Sequence, residues 1–229
     1  MNTKVLSLGG SIVAPEFPDS AFVREFVLMA KAFLDSHADS RLILVVGGGG
    51  PARIYQKAFC EISQNETEAD AADWIGIMAT RLNAQLVKAA FGSLCKNPVV
   101  TDPTADISFD GRVLVAAGWK PGFSTDNDAV LLAQKFGADV VVNLSNIEKV
   151  YDDDPKKNPS AKPLDTISWA DFRKMVGDEW SPGKNCPFDP IASKKASELH
   201  LTVICAGGRN VQNTRAILEG NAFLGTTIR

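Results

Sequence analysis

The segment Leu42–Arg53, LILVVGGGGPAR, constrains this chain more than any other stretch. Five apolar residues run without interruption into four glycines, and Pro51 and Arg53 follow. A short apolar run stopped by glycine reads as a strand buried on both faces, as in the middle of a parallel sheet. Glycines at its end let backbone approach a ligand with no Cβ in the way. Bare N–H groups there, with a helix starting just after, form a ready anion site. Arg53 adds a planar fork suited to phosphate oxygens. The segment therefore points to an enzyme that handles phosphate, with a tight strand-to-helix turn as the plainer reading. Lys4–Leu8 followed by Gly9-Gly10-Ser11 repeats the theme. Neither loop is a Walker A sequence or a correctly spaced GxGxxG. Two glycine turns at the carboxyl ends of apolar strands nevertheless mark the ligand edge of an open α/β sheet.

Composition narrows the class. A chain of 229 residues, 45% hydrophobic and 22% charged, is sufficient for one large α/β domain. A net charge of −3 provides no basic field for a nucleic-acid backbone, so no such partner is expected. No apolar run approaches the ~20 residues of a membrane span, and Val5–Leu8 is too short for a signal-peptide core. No membrane partner is expected either. Cys60, Cys95, Cys186 and Cys205 are scattered without a CxxC pair, which fits a reducing cytoplasm better than disulfides or zinc. With only His37 and His200, neither a His-rich metal site nor a His-centred triad is expected.

Six apolar runs recur along the chain: Val5–Leu8, Leu42–Val46, Val99–Thr101, Val113–Ala117, Val140–Leu144 and Thr202–Ala206. Helical spacing appears over Ala21–Leu34 and Ile75–Phe91, and Asp128–Phe136 reads as a helix closed by Gly137. Ser168 is a good N-cap for Trp169–Val176, which Gly177 ends. Asp189-Pro190 places a capping carboxylate before a proline at the first position of Ile191–Leu199. Strands alternating with helices predict an α/β protein, a mainly parallel sheet covered on both faces. The charged, proline-rich stretch after Leu144 reads as an exposed excursion that rejoins the sheet near Thr202.

The motifs, taken in order, carry a family likeness: LGGS at 8–11, VVGGGGPAR at 45–53, DWIGIMATRLNAQL at 73–86, GWKPGFSTD at 118–126, NLSNIEKVYDDDPKK at 143–157, FDPIASK at 188–194 and the terminal GTTIR. Over nearly its whole length the chain resembles the amino-acid-kinase family, and within it the archaeal-type uridylate kinases. The resemblance implies a three-layer α/β/α sandwich forming a single domain over 1–229. An acceptor lobe would span about 1–117 and an ATP lobe about 118–229. It also implies transfer of the γ-phosphoryl of ATP to UMP with Mg²⁺, without a covalent nucleophile. Backbone donors and cations aimed at the equatorial oxygens would then carry most of the catalysis.

The same resemblance distributes roles. Gly9, Gly10 and Ser11 would lie against the transferring group and ATP, while Gly48 faces UMP and Gly49 and Arg53 touch phosphates nearer ATP. Asp73 would accept from the acceptor ribose; its plainer role is a carboxylate at a helix start. Gly118, Trp119, Lys120, Pro121, Gly122, Phe123 and Ser124 would bind the acceptor's base and phosphate, with capping by Thr125 or Asp126 as the alternative. Asp126 and Lys194 join Gly10 and Ser11 as catalytic candidates. Ser145, Asn146, Tyr151 and Asp154 would hold ATP. The run Asp152–Asp154 reads as a solvated acidic loop, with Mg²⁺ held by nucleotide phosphates and water. Lys4, Lys156 and Lys157 are secondary candidates.

Two departures from the family pattern stand out. Trp119-Lys120 replaces a usual Thr-His, and Ile147-Glu148-Lys149-Val150-Tyr151 replaces Val-Asp-Gly-Val-Tyr. The family implies a homohexamer built as a trimer of dimers, for which Phe22–Leu34 offers an apolar face that a core helix would equally have. Alternative functions are a sibling kinase for isopentenyl phosphate, carbamate or acetylglutamate, and a non-catalytic nucleotide store or regulator. Selection among UMP, CMP and dUMP, and allosteric effectors, stay open.

Overall fold

The computed structural model describes residues 2–63, 68–155, 157–179 and 186–229. Among them, seven strands form one sheet: β1 Asn2–Leu8, β2 Ser40–Val46, β3 Val113–Ala116, β4 Val140–Ser145, β5 Thr166–Ile167, β6 Thr202–Gly207 and β7 Thr226–Ile228. Their order is β3-β2-β1-β4-β6-β7-β5, and every neighbouring pair is parallel except β6 with β7. The helices are α1 Gly10–Val13, α2 Ser20–Ser36, α3 Gly49–Ile62, α4 Ala69–Phe91, α5 Thr125–Phe136, α6 Trp169–Val176, α7 Pro190–Glu198 and α8 Val211–Glu219.

Period-2 side-chain alternation divides the uninterrupted apolar runs between two cores. Leu6, Leu8, Leu42, Leu44, Val113 and Val115 pack with α2, α4 and α8 on one face. Val5, Ile43, Val45, Leu114 and Val141 pack with α5, α6 and α7 on the other. The sheet is thus the middle layer of an α/β/α sandwich, as expected.

Several boundaries differ from the sequence reading. Val99–Thr101 forms only a single bridge, Val100 to Ala116, because Pro98 and Pro103 leave no room for a ladder. Strands β5 and β7 are too short to leave an apolar signature. Helix α4 begins at Ala69, six residues before the first apolar repeat at Ile75, because its first turn, ADAA, has no large apolar residue to mark it. Helix α5 begins at Thr125 under Ser124, whose side chain accepts from Asn127 N; neither Thr125 nor Asp126 is the cap. Ser168 and Asp189 do cap α6 and α7. Helix α2 buries Phe22, Phe26 and Phe33 in the first core, so its apolar face is not free for a partner.

Candidate active site

From β1 the strands step outward to β2 and β3, and from β4 they step the other way to β6. Connections leaving the carboxyl ends of β1 and β4 diverge, and such a switch point opens a crevice. The first two glycine turns flank it. Gly9 N donates to Leu144 O at 2.8 Å, and Gly47 N donates to Leu8 O at 2.9 Å. A Cβ on Gly10 would lie 2.0 Å from Gly49 N, and one on Gly47 would lie 2.5 Å from Gly10 N. The two loops therefore pack backbone against backbone. Gly49 also has φ +65°, and a Cβ there would meet Ala14 O at 2.1 Å. Glycine is required at these positions before any ligand is considered, so ligand approach alone does not explain the run. Buried Asn83 on α4 donates through Nδ2 to Gly47 O at 2.9 Å and Gly48 O at 3.0 Å. In the first turn of α3, Gly50 N already donates to Ala14 O at 2.8 Å and Pro51 has no N–H, which leaves the Gly49 amide toward an anion.

An open cleft of about 330 Å³ lies beside these loops. Gly48, Gly49, Arg53, Asp73, Gly118, Phe123 and Ser124 all line it. Gly49 and Arg53 thus line the same cleft as Gly48 and Asp73. Arg53 is exposed and donates to Pro15 O at 2.9 Å. Asp73 is the fifth residue of α4, not its opening residue, so the helix-start reading loses its position. Its Oδ2 accepts from Gly122 N at 3.0 Å, which ties the acceptor loop to α4.

That loop is pinned from both sides. Gly118 N donates to Thr80 Oγ1 at 2.8 Å. Arg81 donates to Gly118 O at 3.3 Å and to Trp119 O at 3.0 Å. Lys120 Nζ stands 4.0 Å from the Trp119 ring centroid and 5.0 Å from that of Phe123, a cation–π stack. Phe123 and Ser124 line the cleft, but Trp119, Lys120 and Pro121 do not. Asn83, Thr80 and Arg81 support these loops and were missed in the sequence reading, since no pattern marks polar residues on α4.

At the crevice itself, Asp126 Oδ1 accepts from Ser7 Oγ at 2.9 Å and Oδ2 accepts from Asp189 N at 3.3 Å. Desolvation, and then the charge of Asp189, push Asp126 up to about 6. Desolvation also raises Asp189, whose side chain caps α7 through Ala192 N. Asp128, missed in the sequence reading, is pushed up to about 7 by desolvation, with Asp126 and Asp102 adding repulsion. Carboxyls perturbed in this way concentrate at functional sites. Lys194 lies one turn into α7 and is exposed; Asp178 is lowered chiefly by its bond with Arg173, and the charge of Lys194 adds to this. No hydrogen bond or ion pair joins it to the glycine loops among the described residues.

Across the switch point, Ser145 Oγ accepts from Ile147 N at 3.1 Å and Ser145 O accepts from Gly208 N at 2.8 Å. Asn146 is exposed, and half-buried Tyr151 bridges to Pro163. Gly207-Gly208-Arg209, after β6, is a third glycine turn at this edge, also missed although it repeats the strand-then-glycine signal. Lys149 pairs with Asp165, so the lysine at the family's glycine position secures the excursion. Asp153 accepts from Asp154 N and Asn158 Nδ2, and Asp152 accepts from Lys162 N. Asp154 lies 3.9 Å from Lys157. The acidic run binds its own loop, in keeping with the solvated reading. Among the described residues, no group of three His, Cys, Asp or Glu side chains can hold a metal ion. Lys4 sits four residues before the end of β1, about 13 Å from Leu8, too far for a role at the crevice. Lys156 lies outside the described residues.

A family model for the amino acid kinase family matches residues 2–206. The chain belongs to the amino acid kinase family. It is 34% identical to the uridylate kinase of Methanospirillum hungatei, over 100% of this chain and 95% of that protein. It is 39% identical to the uridylate kinase of Thermococcus sibiricus, over 94% and 95% respectively. The crystal structure of uridylate kinase from Archaeoglobus fulgidus superimposes with a TM-score of 0.83 at 34% identity, covering all of both chains.

Proposed function

We propose that this chain is a UMP kinase, transferring the γ-phosphoryl of ATP to UMP to give UDP and ADP in pyrimidine nucleotide synthesis. One observation carries the reading: a glycine-turn helix start, Arg53, Asp73 and the loop from Gly118 surround one cleft beside the switch point of an amino-acid-kinase sheet. Full-length likeness to uridylate kinases supports it. The acceptor lobe is about 1–117, completed by the Gly118–Ser124 loop, and the ATP lobe is the remainder.

In this reading Asp73 accepts from the UMP ribose, while Phe123 and Ser124 meet its base. Gly48 faces its phosphate, and the Gly49 amide and Arg53 touch the phosphates nearer ATP. A phosphate oxygen of UMP attacks the γ-phosphorus in line, and the bond to the ADP oxygen breaks. Gly9 lies against the transferring group, the backbone N–H groups at Gly10 and Ser11 face the equatorial oxygens, and Lys194 neutralises charge on them. Ser145, Asn146, Tyr151 and Asp154 hold ATP beyond the crevice. Asp126 ties Ser7 on β1 to the start of α7, setting the distance between the two halves.

Mg²⁺ fits as an ion carried by the nucleotide phosphates and water, since a hard cation of this size needs only one or two carboxylates. When bound, the ion screens the phosphate charge. A cytoplasmic setting accords with the buried thiols Cys95 and Cys205, and among the described residues no helix is long and apolar enough to cross a membrane. Assembly into dimers, and from these a hexamer, is supported by an apolar stripe on α4: Trp74, Met78, Leu82 and Leu86 recur every four residues and are exposed.

The test is ADP release from Mg-ATP with UMP, CMP, dUMP, isopentenyl phosphate, carbamate or acetylglutamate. Turnover with UMP far above the others is expected. Turnover confined to a non-nucleotide acceptor overturns the acceptor assignment. ATP binding without turnover on any acceptor makes the protein a nucleotide store or regulator.

A further inference from the structure

Asp128 is 1% exposed, and its side chain makes one hydrogen bond among the described residues: Oδ2 accepts from Trp119 N at 3.2 Å. Its other oxygen, Oδ1, has no partner among them. A buried carboxyl with one free oxygen is unfavourable for packing alone, where an apolar side chain of similar volume would do better. What it holds gives it a purpose. Three consecutive amides leave the end of β3, and each is fixed by a different element. Ala117 N donates to Val100 O, Gly118 N to Thr80 Oγ1, and Trp119 N to Asp128. The first residue of the acceptor loop beyond the glycine is therefore attached to α5. Two residues earlier on the same helix, Asp126 engages Ser7 and the start of α7.

We propose that Asp128 is a positioning residue for the acceptor: with Asp126 on the same turn of α5, it fixes the Gly118–Ser124 loop at a set distance from the reacting centre. This deepens the UMP-kinase reading and rests on it. The residue touches no substrate and acts through the Trp119 amide. The charged and titratable groups facing it are Asp126 on its own helix and Asp102 in the loop before β3, with Lys120 acting on Asp102 in turn. An ionised Asp128 accepts from Trp119 N more strongly than a protonated one. Acceptor binding should therefore tighten as pH rises through about 7.

The experiment compares wild type, Asp128→Asn and Asp128→Ala. In Asp128→Ala, KM for UMP should rise roughly tenfold, with KM for ATP changed less than about twofold. Asp128→Asn keeps an acceptor oxygen and should lie between them. The wild-type to Asp128→Asn ratio of KM for UMP should fall between pH 6 and pH 8.5; taking the ratio cancels the ionisation of UMP itself. Amide hydrogen exchange at Trp119 in the unliganded protein should quicken in Asp128→Ala. Equal rises in both KM values, a ratio flat with pH, or unchanged exchange at Trp119 would overturn the proposal. If Asp128→Ala does not fold, Asp128→Asn still decides it through the pH ratio. Should wild type fail to phosphorylate UMP, the functional reading falls on that result alone, and the exchange rate still reports whether Asp128 holds the loop.

Discussion

Two carboxyl groups in the first turn of α5 titrate at about 6 and about 7, and both values carry a cost at neutral pH. An unfolded Asp titrates near 3.9, so between about pH 4 and 7 the folded chain holds more protons than the unfolded one. The stability from these groups is complete below that window and is lost as pH rises through the folded values. They account for on the order of 3 kcal/mol for Asp126 and on the order of 4 kcal/mol for Asp128. The carboxylates with lowered values, such as Asp19 and Asp178, lose their contribution only in stronger acid. Thermal midpoints should therefore fall from pH 5.5 to pH 8, and Asp126→Asn and Asp128→Asn should each flatten the slope. A wild-type midpoint that rises over this range contradicts the burial seen here. Asp73 and Lys194 test the other side of the chemistry. Asp73→Asn should raise KM for UMP roughly tenfold or more while sparing ATP. Lys194→Ala should lower kcat by about a hundredfold with little change in either KM. An unchanged kcat in Lys194→Ala removes that lysine from the mechanism, a real hazard given its exposure on α7.

At the scale of elements, the glycine turns were the most legible feature, yet their legibility was partly for the wrong reason. Apolar run followed by glycine located the carboxyl ends of β1 and β2 because burial on both faces leaves an uninterrupted apolar signal. Why Gly47 and Gly49 are needed was hidden, since it depends on one loop packing against another about 38 residues away. Gly49→Ala tests this directly. Positive φ and the Ala14 carbonyl 2.1 Å from the added methyl should together cost roughly 2–5 kcal/mol, seen as a lower denaturation midpoint. A neutral result would mean that the loops can separate, and that packing does not fix the turn. Helix α4 was legible only from Ile75 onward, where its apolar repeat begins. The contacts that make it the scaffold of the cleft run through Thr80, Arg81 and Asn83, polar residues that no periodicity singles out. Caps were read well at Ser168 and Asp189, where one candidate stood alone. They were misread at Ser124, where three candidates in a row competed and only the backbone could choose among them.

For the whole molecule, the sequence identified the sheet's parallel centre, while its far edge stayed invisible because β5 and β7 are two and three residues long. The surface was left open for a related reason. Helical apolar spacing over Phe22–Leu34 cannot distinguish a face that meets the core from one that meets another chain, and in the fold it meets the core. The face left over is on α4. Trp74, Met78, Leu82 and Leu86 are 44%, 57%, 71% and 42% exposed, a stripe about 18 Å long on a helix whose opposite side packs against the sheet. A twofold axis across such a stripe pairs it with itself, the commonest closure for a soluble chain. It would also bring Trp74, and with it the adjacent Asp73 of the acceptor cleft, against the second copy. Size-exclusion chromatography with light scattering should therefore give an even multiple of the chain mass. Leu82→Glu, which places like charges opposite each other across that axis, should give the single-chain mass while circular dichroism remains that of the folded protein. A wild-type monomer, or a Leu82→Glu variant that stays assembled, would exclude α4 as the dimer contact.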